Sequence, residues 1–108
     1  MEGWPFEDPP NTAALTTSDV LETNAPILHV AHDADDGSWQ FLSGRAVNPS
    51  EARVVGLGRI CGRDPSLLGL ADLPEGWWAW REHVGAEWQR RPARADIAPG
   101  SVDDPAAP

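Results

Sequence analysis

The residues best suited to chemistry stand close together at His29-x-x-His32-Asp33-x-Asp35-Asp36. Two imidazoles and three carboxylates within eight positions are the side chains that hold a divalent metal or run a metal-dependent hydrolysis, with His29, His32 and Asp33 as candidate ligands. The spacing works against it. On a strand, residues three apart point to opposite faces, so His29 and His32 reach one ion only if the strand ends before His32. As a calcium loop, Asp33 and Asp35 fit the first and third positions, but Gly37 falls where the third carboxylate belongs. Gly44 then stands at the twelfth position, which needs Glu. Asp tolerates left-handed turn geometry, and an Asp-rich turn is the better account. No metal and no cofactor is therefore expected.

The remaining candidates are thinner. Cys61 is the only cysteine and has no adjacent base, so it becomes a nucleophile only if His32 or His83 folds beside it. Gly56-x-Gly58 lacks the third glycine and the lysine of phosphate-binding loops. No serine sits in a nucleophile elbow. A non-enzymatic protein is the expectation, with a small hydrolase using His29, His32 and Asp33 as the alternative.

Composition points towards association. The 108 residues carry a formal charge of −9, with 17 Asp plus Glu against 8 basic residues, all of them Arg. Net negative charge of this size disfavours nucleic-acid binding, which needs a cationic surface. Residues 1–44 hold eight acidic residues and no Arg; the eight Arg all fall between Arg45 and Arg94. Such asymmetry steers a basic partner, and Asp33, Asp35 and Asp36 are the candidate contacts. Trp77-Trp78-x-Trp80-Arg81 has the composition of an interface hot spot and is the candidate apolar contact. An acidic mimic of nucleic acid is a further alternative. Apolar runs of only a few residues exclude a membrane span, and no signal peptide is visible at Met1–Pro5. A single cysteine rules out an internal disulfide, so a cytoplasmic location is expected.

These residues need a frame. Ile27–His32 reads as a strand, Asp33–Gly37 as a turn with an Asp-Gly pair, and Ser38–Gly44 as the return strand with Trp39, Phe41 and Ser43 on one face. Thr17 or Ser18 is placed to cap a helical turn through Glu22. Asn48-Pro49-Ser50-Glu51 carries an Asn cap, a Pro at the first position and a Glu three after the cap. Arg53–Leu57 reads as a further strand, with a helical turn through Ile60. Asp64-Pro65 opens another helix, and Trp77–Glu82 with Glu87–Arg90 forms a second hairpin. The fold class is α+β: a small single domain with a short antiparallel sheet of two hairpins plus an additional strand, and two short helices. Seven of the 11 Pro lie in residues 1–10 and 92–108. Residues 1–11 are expected to be disordered or loosely attached, with Trp4-Pro5-Phe6 as a possible apolar anchor. The domain spans 12–94, and 95–108 forms a disordered tail.

Trp39-x-Phe41-x-Ser43-Gly44, Leu57-x-x-Ile60-Cys61-x-x-Asp64-Pro65, Pro74-x-Gly76 and Trp80-Arg81 follow one another in an order that resembles a family of short bacterial domains grouped with toxin-immunity proteins, the "immunity protein thirty-three" type. The resemblance covers about residues 27–82. It implies a small α+β domain that binds and neutralises a cognate toxin, with no enzymatic activity and no cofactor.

Overall fold

A computed structural model describes residues 4–45 and 48–93. Its centre is one sheet of six strands: β1 (Ala13–Thr17), β2 (His29–His32), β3 (Trp39–Leu42), β4 (Ala52–Gly56), β5 (Trp77–Trp80) and β6 (Gln89–Pro92). Their order across the sheet is β4-β1-β3-β2-β5-β6. Both expected hairpins are present. β2 pairs antiparallel with β3 through Val30↔Phe41, and β5 pairs antiparallel with β6 through Ala79↔Arg90.

The β2–β3 connection follows from its turn chemistry. Gly37 has φ 72°, a conformation that favours glycine, and its N–H donates to the Asp33 carbonyl. Gly76, at φ 84°, turns the chain into β5 and donates its N–H to the His32 carbonyl.

The sheet is mixed rather than antiparallel, because β1 runs parallel to β3 while pairing antiparallel with β4. Nothing in Ala13-Ala14-Leu15-Thr16-Thr17 marks a strand by apolar alternation, and alanine is a poor strand former. Its place comes from neighbours. Ala14 is buried, and the Thr16 hydroxyl donates to the Phe41 carbonyl at 2.6 Å.

Helix α1 (Ser18–Glu22) follows β1, and α2 (Leu57–Arg63) follows β4. Thr17 stands at the N-cap of α1 but makes no side-chain cap bond; its hydroxyl donates to the Asp19 carboxylate instead. The two proline-led starts form 3₁₀ turns, Pro49–Glu51 and Pro65–Leu70. At the first, Asn48 and Glu51 complete a reciprocal capping box; at the second, Asp64 accepts the Ser66 N–H.

Between one sheet face and these helical segments lies the core of Val20, Ile27, Val30, Trp39, Phe41, Leu57, Ile60, Leu67, Leu70 and Leu73. Each such side chain contributes roughly 1.5–3 kcal/mol on burial. Phe6 is buried in the same core, set edge-on against Trp39 with ring centroids 5.1 Å apart. The segment expected to be loose is therefore anchored at Phe6 over its described part. The expected tail at 95–108 lies outside the described residues. No described helix is long and apolar enough to cross a membrane.

Candidate functional site

The β2–β3 turn and the N-terminal arm meet at one cleft, and His32 is its centre. The last residue of β2, His32 stacks on Trp39 with ring centroids 3.9 Å apart and planes 12° apart. Its Nδ1 lies 2.7 Å from the Leu73 carbonyl oxygen. A carbonyl only accepts, so Nδ1 donates. Behind it, Trp39 contacts Phe6, which in turn contacts Trp4 at 5.2 Å.

The cleft has a volume of about 800 Å³, lined by His32, the apolar side chains of Pro5, Leu68, Leu73 and Pro74, and the carboxylates of Glu7, Asp72 and Glu75. A smaller pocket of about 160 Å³ shares Glu7, His32 and Glu75 and adds Asp8 and Asp36. Five acidic residues thus line the two spaces beside His32, and no arginine lines either among the described residues. Asp72 is held by Arg90, which donates to it at 2.8 Å and pulls its carboxyl below the usual range.

The expected contacts divide on inspection. Asp35 and Asp36 are exposed. Asp33 accepts the Asp35 N–H at 2.8 Å and Asp36 the Ser38 N–H at 3.0 Å, so both also shape the turn. The Ser38 bonds hold the Asp36 carboxyl below its ordinary value. Of the tryptophans, Trp77 is half-buried opposite His32 on the core face. Trp78 is only 2% exposed and lies on the other face, as does the half-buried Trp80. The three do not form one strip.

Arg81 is a correction of a different kind, being 5% exposed. Its Nε and Nη2 donate to the Ile27 carbonyl at 3.1 and 2.9 Å, Nη1 donates to Ser66 Oγ, and Nη2 pairs with the Asp64 carboxylate. The guanidinium also lies 4.3 Å from the Trp88 ring centroid. All three guanidinium nitrogens are engaged inside the fold, which makes Arg81 a cross-link rather than a contact for a partner. Burial raises the Asp64 carboxyl, but bonds from Ser66 and Arg81 outweigh it and leave the group below its usual value.

The enzymatic candidates are dispersed. His29 pairs with Leu42 and Trp80 on one face and His32 with Trp39 and Trp77 on the other, as the odd spacing requires. His29 is buried edge-on against Trp78. Cys61 is buried, and desolvation pushes its thiol up to about 11, so it stays protonated and unreactive. His83 is exposed, with Nδ1 donating to the Val84 carbonyl. Among the described residues, no group of three or more His, Cys, Asp or Glu is placed to hold a metal ion.

Two features escape a reading of the sequence. Glu7, Asp8, Asp72 and Glu75 come to the cleft from the arm and from the segment between the second 3₁₀ turn and β5, and each in isolation is an ordinary surface acid. Asp19, 7% exposed, accepts from Thr17 Oγ1, from Ser43 Oγ at 2.6 Å, from the Val20 N–H at 3.0 Å and from Arg45 Nε at 2.9 Å. Burial raises its carboxyl, but the bonds from Ser43, Thr17 and Arg45 win and lower it to about 2.

Comparison with known proteins finds no family model, no curated protein and no solved structure that matches the chain.

Proposed function

We propose that this protein is a non-enzymatic binding module whose acidic cleft, with the neighbouring Asp33–Asp36 turn, receives a basic segment of a protein partner, in the manner of an immunity-like domain. The observation that carries the reading is the five-carboxylate lining without an arginine, in which Asp72 alone has an ion-pair partner among the described residues. Carboxylates are acceptors, so the occupant that suits them is donor-rich and positive: an arginine or lysine side chain. Pro5, Leu68 and Pro74 supply apolar wall for the stem of such a side chain. The motif order that resembles the immunity family agrees with this class of function.

The hydrolase reading loses ground because His29 and His32 face opposite ways and Asp33 caps a turn. A partner that double-stranded DNA displaces from the cleft would favour nucleic-acid mimicry instead.

The test is affinity capture from cell lysate with the wild-type chain and with a Glu7→Gln, Glu75→Gln double variant, at low and high salt. A basic protein retained by the wild type at low salt, weakened by salt and lost with the double variant supports the reading. Retention unchanged by both the substitutions and the salt would overturn it.

A further inference from the structure

The second face of the sheet, turned away from the helical segments, is buried at one end and open at the other. One row crosses all six strands in register: Arg91, Trp78, Ala31, Gln40, Leu15 and Val54. Trp78 and Ala31 are 2% and 1% exposed, Gln40 is half-buried, and Leu15 and Val54 reach 38% and 69%. His29, in the next row, is buried and meets the Trp78 ring edge-on. From β5 towards β4, exposure thus grows strand by strand.

The core does not account for this gradient. Val20, Leu57, Ile60, Leu67 and Leu70 hold the helical segments against the opposite face. Of the described buried apolar residues, only Ala31 and Trp78 stand outside that cluster. An indole on an open sheet keeps one flat side in water, so a tryptophan this buried has something lying over it. The burial is complete within a single chain, so the cover belongs to that chain. Residues 1–3 and 46–47 are too few to cross the face. Residues 94–108 are fifteen and reach about 50 Å when extended. They follow Ala93, whose N–H donates to the Gly76 carbonyl at 2.7 Å beside the start of β5. From β6 to β2 is two strand spacings, about 10 Å.

We infer that residues 94–108 fold back across β5 and β2 as a strap over Trp78, Ala31 and His29. Apart from alanine and proline, Ile97 and Val102 are its only apolar side chains, and they supply the contact with the indole. Asp96, Asp103 and Asp104 give the strap three carboxylates, and Arg91 is the one fixed charge among the described strand residues of this face. The sheet lends the apolar area that the segment's own composition lacks, so a stretch that reads as disordered in isolation is ordered here. Left bare, Trp78 and Trp80 would extend the apolar surface of Leu15 and Val54 across the sheet, and the strap withholds that surface from other chains. His32 and its cleft lie on the opposite face, and neither proposal rests on the other.

Nuclear Overhauser measurements on the full-length chain come first. The expected result is contact between the Trp78 ring protons and the methyl groups of Ile97 or Val102. A soluble paramagnetic agent then reads exposure, with Trp39, equally buried on the core face, as the internal standard. In an Ile97→Ser, Val102→Ser double variant, the Trp78 ring signals should broaden several-fold more than in the wild type, while those of Trp39 do not change. Wild-type spectra without contact between Trp78 and either Ile97 or Val102 overturn the inference. So does a variant in which Trp78 stays as protected as Trp39, or a mixture of labelled and unlabelled chains in which the contacts prove intermolecular.

Discussion

Two groups of carboxylates in this molecule differ in what surrounds them. Asp19 and Asp64 are enclosed by donors: hydroxyls, backbone N–H groups and arginines take up their oxygens. Glu7, Asp8 and Glu75 line a cleft with no arginine among its described lining residues. The same chemical group is a structural cross-link in one place and an open acceptor in the other. What separates them is the number of donors that the fold brings within reach. A buried charge without partners is too costly to keep, whereas a charge on a cleft wall keeps water until something replaces it.

Arg81→Ala is the most severe way to break the enclosed group. It leaves the Asp64 carboxylate without its cation and the Ile27 carbonyl without the guanidinium donors in a desolvated site, and a loss of about 3–5 kcal/mol is expected in urea denaturation. Arg81→Lys should recover only part of this, because one ammonium cannot reach Ile27, Ser66 and Asp64 together.

Asp19 gives the next largest effect, with a definite pH dependence. Its carboxyl is lowered from 3.8 to about 2 in the folded chain, so the folded state favours the ionised form. The stabilisation is complete above the unfolded value and is lost as pH falls from about 4 towards 2, amounting to about 2 kcal/mol. Asp19→Asn should be less stable than wild type at neutral pH, and the difference should shrink through that acid window. Denaturation midpoints of both proteins across the window check the sign.

The smallest effect on stability belongs to the open group. Glu7→Gln with Glu75→Gln should change unfolding free energy by no more than about 0.5 kcal/mol, since neither carboxylate has an ion-pair partner among the described residues. The same double variant should abolish capture of the basic partner. A large loss of stability there would erase the distinction between the two groups.

How much of this is visible in the chain depends on range. Asp33–Gly37, Asn48-Pro49 and Asp64-Pro65 act on their own neighbours, through a left-handed glycine, a capping box and an Asx cap, and each acts where the sequence places it, although the two proline-led starts open 3₁₀ turns and not the expected helices. Trp39 and Phe41 share a buried face because strand alternation requires it. Strand β1 has no such mark; Ala14 and Thr16 become a strand by fitting between β3 and β4. Arg81 beside Trp80 has the composition of a contact surface, and only the positions of Ile27, Ser66 and Asp64 turn it inward.

By itself, the sequence determined the two hairpins, the capped proline-led starts at Asn48 and Asp64, the opposed directions of His29 and His32, and the excess of negative charge. All are properties of residues a few positions apart or of simple sums. The tertiary structure alone decided which acids are enclosed and which stay open. Glu7, Asp36 and Glu75 meet around His32 only after the arm, the β2–β3 turn and the approach to β5 pack together. Donors and acceptors that distant along the chain carry no mark of one another until the core brings them into contact.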